Sequence, residues 1–253
     1  MSKSEVVHPK FKRTCAACGR RALMNKEHVW PQWLIRKTAT KGVRFTEDKK
    51  INPYGMTVPL CKSCNSAFGD QLETPVSKIL PALEAGEGLT DREAEILVRW
   101  LWKFEGLFWI FDHPNDQYSP IYTLRERVLQ PLDAIRGELT LAVSIIAQIN
   151  PAYDDEPMGV DSNNKLSGIF VAAVFGRVAM MVLQSKFEPE VPPEFSLYRF
   201  ASPDSPDRDA KLLFPKTGFA DCEQAVFITR TAAPWLSHYH DVEAEREQEK
   251  QRG

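Results

Sequence analysis

Four cysteines near the start of the 253-residue chain form two matched pairs. Two residues separate Cys15 from Cys18, and two residues separate Cys61 from Cys64. This gap allows both thiolates of one tight turn to point at the same ion. Two such pairs complete a tetrahedral site. The spacing therefore predicts one structural Zn²⁺ bound by all four cysteines.

Three further polar residues lie in register with the cysteine pairs. Glu27 and His28 are adjacent between the two pairs, and Asn65 directly follows Cys64. A structural zinc site needs none of these three residues. They are the residues that a second, catalytic metal site would add.

Short elements are expected to position these groups. Residues 26–29 read as a strand that carries His28, and Pro31 suits the first turn of a helix. A second helix is predicted from about Asn65 to about Leu72, until Pro75 interrupts the pattern. Gly19 is expected to close the turn after the first cysteine pair.

The rest of the chain is predicted to be a separate region. The stretch 81–88, rich in proline and glycine, suggests a boundary between residues 1–80 and an accessory region, 81–253. Thr90 and Glu93 form a capping box, after which aromatic and aliphatic residues recur three and four apart. This pattern predicts a long core helix that ends near His113.

The later part of the chain favours strands, so the predicted class is α+β. Residues 139–149 alternate in the manner of a strand, and residues 168–175 and 178–185 flank a two-residue turn. Residues 225–229 are predicted to be another strand. The stretch 188–218, dense in proline and aspartate, is expected to be irregular.

Composition and charge suggest a cytoplasmic protein that meets a polyanion. No apolar stretch is long enough to span a bilayer, the N-terminal segment lacks the apolar region of a signal peptide, and we expect no membrane partner. Residues 1–80 hold 15 Lys and Arg against 6 Asp and Glu, a balance of +9, whereas the remainder has a balance of −11. The basic region is therefore the expected contact with a polyanion.

The ordered motifs resemble those of a known family. They are Cys15-x2-Cys18, Glu27-His28-Val29-x-Pro31 and Leu60-Cys61-x2-Cys64-Asn65. This combination resembles the HNH endonucleases, also called His-Me finger or ββα-metal nucleases. It is similar in particular to the phage junction-resolving type. The resemblance covers roughly residues 12–75 and implies a zinc-stabilised, treble-clef-like ββα-metal module.

The resemblance also implies roles for individual residues. His28 would be the general base, and Glu27 and Asn65 would bind a catalytic Mg²⁺ or Mn²⁺, which prefer such oxygen ligands. Asp70 or Glu73, on the following helix, would be a further metal ligand or a group that supports one. The family often has an asparagine that orients the histidine. Here the orienting group would be Asn52, Thr57 or a backbone carbonyl.

We therefore expect a divalent-metal-dependent endonuclease that acts on nucleic acid, most simply DNA, in defence against foreign DNA. The expected phosphate contacts are basic side chains of the first region, namely Arg20, Arg21, Lys26, Arg36 and Lys37. The accessory region would regulate the nuclease, form a homodimer, bind a regulatory protein or select the substrate. The alternative is a non-catalytic zinc-finger module that binds nucleic acid or a protein.

Overall fold

The computed structural model describes residues 14–39, 41–46, 49–114, 118, 122–148, 158–162 and 170–229. These residues form a mixed α+β fold, as predicted from the sequence. The last residue of the expected strand 139–149 and the first two of the strand 168–175 lie outside the described residues, as do the first two residues of the region of resemblance.

Two antiparallel strands and a helix form the centre of the N-terminal region. The elements here are β1 (Met24–His28), α1 (Gln32–Thr38), β2 (Val43–Thr46), β3 (Lys49–Ile51), β4 (Thr57–Cys61) and α2 (Lys62–Phe68). β1 pairs with β4, and Met24 lies opposite Cys61 while His28 lies opposite Thr57. The helix α1 and the β2–β3 hairpin are inserted between the two paired strands. His28 therefore ends a strand, as predicted.

The helix expected at Asn65 begins three residues earlier, at Lys62, and does not end at Pro75. It continues through a π turn (Gly69–Glu73) into α3 (Thr74–Glu84). Pro75 lies at the first turn of α3, where the wider π turn directly before it accommodates the missing N–H donor and the proline ring. Residues 81–84, expected in the linker, are therefore helical, and the chain turns at Gly86 with φ +86°.

The capping box at Thr90 is confirmed, because its hydroxyl accepts from the Glu93 N–H and the Glu93 carboxylate accepts from the Thr90 N–H. β5 (Leu89–Thr90) leads directly into α4 (Asp91–Asp112). A second capping box, Thr123 with Glu126, begins the short helix α5 (Leu124–Leu129). None of the helices in the described part of the chain is both long enough and apolar enough to cross a bilayer.

A six-stranded sheet forms most of the second half. Its strands are β6 (Leu139–Gln148), β7 (Met158–Ser162), β8 (Val171–Phe175), β9 (Val178–Gln184), β10 (Ser196–Arg199) and β12 (Thr217–Asp221). The order is β10-β6-β9-β8-β7, with β12 also on β6 and parallel to it. The predicted hairpin is confirmed, since Phe175 pairs with Val178 across a turn in which Gly176 has φ +61°. Short 3-10 helices span Pro53–Gly55, Arg136–Glu138, Ser185–Glu190 and Pro206–Asp209.

Two predictions for the second half were wrong. The stretch 188–218 is not irregular throughout, because it contains β10 and β11 (Lys211–Leu213), which pair with β6 and β5. Residues 225–229 belong to a helix, residues 222–229, and not to a strand. Cys222, Ala225, Val226 and Thr229 are buried at helical spacing, which outweighs the local β-propensity of this segment.

The main core extends across the predicted boundary at residue 80. Trp30 of the first region lies 4.4 Å from Phe104 of α4 and 6.3 Å from Phe175 of β8, measured between ring centroids. One cluster of buried residues continues from Cys15 through α4 to one face of the sheet. The opposite face of the sheet packs in a second cluster with the helix 222–229. The division into two domains stays a prediction.

Candidate metal and catalytic site

The four predicted cysteines lie together. Their Sγ atoms are all within 4.8 Å of one another, and the Sγ atoms of Cys18 and Cys61 are 4.0 Å apart. A tetrahedral ion with metal–sulfur distances of 2.3 Å requires sulfur–sulfur distances of about 3.8 Å. Three of the cysteines are buried, and Cys18 is half-buried. The four cysteines could therefore hold a metal such as zinc.

Backbone hydrogen bonds shape the first cysteine pair into a tight turn. The N–H of Gly19 donates to the carbonyl of Cys15 (2.8 Å), and the N–H of Cys15 donates to the carbonyl of Arg20 (2.9 Å). Gly19 has φ +69°, a conformation that favours glycine. The Cys61 N–H donates to the Cys15 Sγ at 3.3 Å, which links the second pair to the first.

Hydrogen bonding and burial shift the pKa of three of the four cysteines. A hydrogen bond from the Cys64 thiol lowers the pKa of Cys15 to about 4, and the same bond raises the pKa of Cys64. Burial raises the pKa of Cys18. One thiolate is therefore stabilised by its protonated neighbours, and a bound Zn²⁺ would take over that role for all four.

Arg125, at the start of α5, also contacts the cysteine cluster. Its Nη1 donates to the Sγ of Cys64 at 3.3 Å, and its backbone N–H donates to the Ala17 carbonyl at 2.9 Å. The hydrogen bond to Cys64 raises the pKa of Arg125, so the Arg125 side chain is a guanidinium cation. The accessory region thus supplies a cation directly to a predicted zinc ligand. Sequence analysis missed this residue, because its contact partner is 61 positions away.

His28 lies at the end of β1 with its ring partly exposed. The Nε2 of Gln32 is 3.3 Å from Nδ1 and 3.4 Å from Nε2 of His28. The ring of Tyr54 meets the imidazole edge-on at 6.5 Å. Among the described residues, His28 forms no ion pair.

Asn52, Thr57 and a backbone carbonyl, the predicted candidates for orienting His28, make no hydrogen bond with its ring among the described contacts. Asn52 uses its side-chain oxygen to accept from the Tyr54 N–H at 3.0 Å. Thr57 lies opposite His28 in the strand pair, but the described contacts include no hydrogen bond between their side chains and none from the imidazole to a backbone carbonyl. Gln32, at the first position of α1, is the residue in contact.

Glu27, next to His28, points to a buried lysine. The Nζ of Lys103, in the middle of α4, lies 2.8 Å from Oε1 of Glu27 and 2.5 Å from Oε1 of Glu73. The Lys103 side chain is only 1% exposed, and the ring of Phe68 lies 5.8 Å from its ammonium. We call Glu27, Glu73 and Lys103 the Lys103 cluster.

The carboxylates of the Lys103 cluster stabilise the charged form of the lysine. Burial alone would lower the pKa of Lys103, but the carboxylates of Glu73 and Glu27 outweigh it, so the pKa is raised. Glu73 also accepts hydrogen bonds from the indole N–H groups of Trp33 (2.7 Å) and Trp100 (3.0 Å). Lys103 is therefore an ammonium that bridges the side chains of Glu27 and Glu73.

The remaining predicted ligands differ in their placement. Asn65 lies one position after Cys64 on α2, which packs on β1 and β4, and it is half-buried. The described contacts join its side chain to neither Glu27 nor His28. Asp70 is exposed, and no hydrogen bond or ion pair is found for it in the described part of the chain. Of the two carboxylates predicted as further metal ligands, only Glu73 is linked to Glu27, through Lys103.

The five predicted phosphate contacts are not equivalent. Arg20, Arg21 and Lys26 are exposed around the first cysteine turn and β1, and the described residues offer them no ion-pair partner. Arg36 is exposed and lies 3.5 Å from the side-chain oxygen of Gln32. Lys37 forms an ion pair with Glu84 of α3, so its charge is already partly neutralised.

Comparison of the chain with protein-family models, with curated proteins and with solved structures finds no match. The residues of the site and their contacts are therefore the only guide to its chemistry. Sequence analysis missed Lys103, although a charged residue between Trp102 and Phe104 in a buried aromatic stripe was a visible signal.

Proposed function

We propose that the protein is a divalent-metal-dependent endonuclease of the HNH type, which hydrolyses phosphodiester bonds in DNA. One arrangement supports the proposal most directly. His28 is partly exposed at the end of β1 next to Glu27, and β1 pairs with β4, which ends at Cys61. The helix that follows carries Asn65. The cysteine cluster thus joins the two strands and the helix on which the three expected catalytic residues lie.

Each residue has a role that fits its surroundings. His28 is free of ion pairs within the described residues, so it is suited to take a proton from an attacking water. Glu27 uses Oε1 for Lys103, and its other oxygen has no hydrogen bond among the described contacts. That oxygen and the Asn65 amide would hold Mg²⁺ or Mn²⁺, which stabilises the charge that develops on the scissile phosphate.

Basic residues near the site would bind the nucleic acid. Arg20, Arg21, Lys26 and Arg36 are exposed on the same small region as His28, whereas the accessory region carries the excess of acidic residues. Such a distribution attracts a polyanion to the N-terminal region and repels it elsewhere. Defence against foreign DNA, with the accessory region as the regulatory or dimerising part, is the biological role we propose.

One observation favours a second candidate, a non-catalytic zinc module that binds nucleic acid or a protein. Lys103 already neutralises part of the Glu27 charge, as in a purely structural ion pair. In that case Glu27 would contribute to packing, and His28 would be an ordinary surface residue. The two candidates differ in whether the site binds a divalent cation and cleaves.

A plasmid cleavage assay with Mg²⁺ or Mn²⁺ separates the candidates. Full-length protein should nick or linearise the plasmid, and His28→Ala should reduce the rate by about 10²-fold or more, the usual contribution of a general base. His113→Ala is the matched control, since His113 is exposed at the end of α4 and outside the site. Equal cleavage by His28→Ala and wild type would show that His28 is not the general base, whereas DNA binding without cleavage by either protein would favour the second candidate.

A further inference from the structure

The Lys103 cluster has an unequal division of hydrogen bonds between its two carboxylates. Glu73 uses both oxygens: Oε1 accepts from Lys103 and Trp100, and Oε2 accepts from Trp33. Glu27 uses Oε1 for Lys103, and the described contacts leave its Oε2 without a hydrogen bond. Both oxygens of Glu73 therefore already accept hydrogen bonds, whereas Oε2 of Glu27 can still bind a positively charged group.

The cluster also carries one negative charge more than it balances. Two carboxylates face a single ammonium, which leaves a net charge of −1. The Lys103 side chain is 1% exposed, so its ammonium cannot leave the cluster without entering an apolar core. A fixed positive charge thus lies on the inner side of the carboxylates.

We propose that Lys103 is a positioning residue of the metal site. Its ammonium holds Oε1 of Glu27 on the inner side and leaves Oε2 for the catalytic divalent cation. It also excludes that cation from the space between Glu27 and Glu73. This inference rests on the proposed function, because it assigns Glu27 to a catalytic cation.

Removal of the Lys103 charge should separate cation binding from cleavage. In Lys103→Met the two carboxylates have a net charge of −2, so they attract a divalent cation more strongly. The cation would then lie between them, in the place of the ammonium, and away from His28. We expect Mn²⁺ to bind about tenfold more tightly while cleavage at saturating Mn²⁺ falls about tenfold or more. A purely structural lysine would not produce opposite changes.

Two further variants test the charge argument by changing the net charge of the cluster in steps. Glu73→Gln keeps an acceptor oxygen for Lys103 and Trp100, loses the acceptor for Trp33, and makes the cluster neutral, so Mn²⁺ should bind more weakly than in wild type. The double variant Lys103→Met with Glu73→Gln restores the net charge of −1, so its affinity should return close to that of wild type. The expected order of affinity is Lys103→Met, then wild type and the double variant, then Glu73→Gln.

The experiment measures Mn²⁺ binding by electron paramagnetic resonance on the zinc-loaded full-length protein. Glu27→Gln lacks the proposed carboxylate ligand and therefore reports Mn²⁺ bound at other sites. Plasmid cleavage is measured on the same samples, and circular dichroism reports folding. The stated order, with slower cleavage in Lys103→Met, supports the proposal. Equal affinities, or weaker binding in Lys103→Met than in wild type, would overturn it while leaving the nuclease intact. If Lys103→Met does not fold, wild type, the double variant and Glu73→Gln still decide. A wild type that neither binds Mn²⁺ nor cleaves would overturn both proposals.

Discussion

Two buried ionic clusters lie on the same helix, α4, and they differ in their balance of charge. At the first turn, Asp91 and Glu95 face Arg136 and Arg208, with the Nε of Arg208 2.9 Å from Asp91 and its Nη2 2.9 Å from Glu95. We call these four residues the Asp91 cluster. Three turns later, the Lys103 cluster has two carboxylates but one cation.

The Asp91 cluster is satisfied within the protein. Both of its acids pair with both of its arginines, and Asp91 also accepts from the Tyr198 hydroxyl (2.8 Å) and the Ala201 N–H (3.0 Å). Four charges cancel, and Arg99 also lies 3.9 Å from Glu95, so no negative charge remains to attract a cation. The comparison shows that burial and ion pairing alone do not mark a functional site. An uncancelled charge beside a partly exposed histidine does so better.

The largest expected effect comes from substitution of a cysteine in the cluster. The comparison of the two ionic clusters depends on these cysteines, because they hold β1 against α2. Cys64→Ala should abolish zinc binding, which contributes on the order of 10 kcal/mol in sites of this kind. The cysteine cluster and α4 belong to the same core. We therefore expect the variant to show no cooperative thermal unfolding transition for the whole described fold. Metal analysis and thermal denaturation are the measurements. Cys222→Ala, a buried cysteine outside the cluster, should retain about one zinc per chain.

The second prediction tests whether the Asp91 cluster is only structural. Asp91→Asn removes one buried charge and leaves both arginines under-compensated, which should cost about 3–5 kcal/mol of unfolding free energy in urea. Mn²⁺ binding should not change. Arg92→Ala breaks an exposed ion pair with Asp209 on the same turn and should cost less than about 1 kcal/mol. Altered Mn²⁺ affinity in Asp91→Asn would contradict the separation of the two clusters.

The third prediction concerns pH. Burial raises the pKa of Asp91, but hydrogen bonds from Tyr198, Ala201 and Arg208 and the charge of Arg136 outweigh it, so the folded-state pKa is lowered. The stabilisation is therefore present above the unfolded-state pKa of about 3.9 and is lost as the pH falls through the folded-state value. The stability difference between wild type and Asp91→Asn should be smaller at pH 3 than at pH 7. An equal stability difference at pH 3 and pH 7 would contradict the prediction that the ionised form of Asp91 stabilises the fold.

The fourth prediction asks whether Arg125 supports the cysteine cluster by its charge. Arg125→Met should make zinc transfer to a chelator at constant pH roughly tenfold faster, since partners of metal ligands often contribute that much. Lys62→Met removes an equal charge from an exposed position next to Cys61 and serves as the matched control. If both variants release zinc equally fast, the effect is one of general charge and not of the hydrogen bond to Cys64.

The smallest expected effect separates Arg36 from Lys37. Arg36→Ala should weaken DNA binding several-fold and reduce the slope of log affinity against log salt by about one, as for a phosphate contact. Lys37→Ala should have less effect, because Lys37 is already paired with Glu84. Titration of a labelled duplex at several salt concentrations measures both. A larger loss in Lys37→Ala would show that the ion pair opens on DNA.

Local signals in the sequence were sufficient for some of this structure. The cysteine spacing predicted a cluster that the structure forms, and the capping box at Thr90 predicted the start of α4. The strand that ends at His28 was also predicted, since a few adjacent residues determine it. In each case the interacting residues are near one another in sequence or repeat a fixed spacing.

Features that depend on distant partners were not predicted. Lys103 lies 76 positions from Glu27, and its place between Trp102 and Phe104 indicates burial but does not identify the carboxylates that pair with it. The same holds for β10, which becomes a strand because β6 offers it an edge. For residues 222–229, burial against the sheet selects a helix over the strand that their composition favours.

The π turn between α2 and α3 makes the spacing of this segment unusually sensitive to chain length. Loss of one residue from Gly69–Glu73 would remove the π turn that accommodates Pro75 in the helical segment from Lys62 to Glu84. It would also rotate α2 against α3 by about 100°, the angle of one residue in an α-helix. Cys64 and Val76 could then not both face their present partners. A deletion of one residue here would thus separate the cysteine cluster from the core.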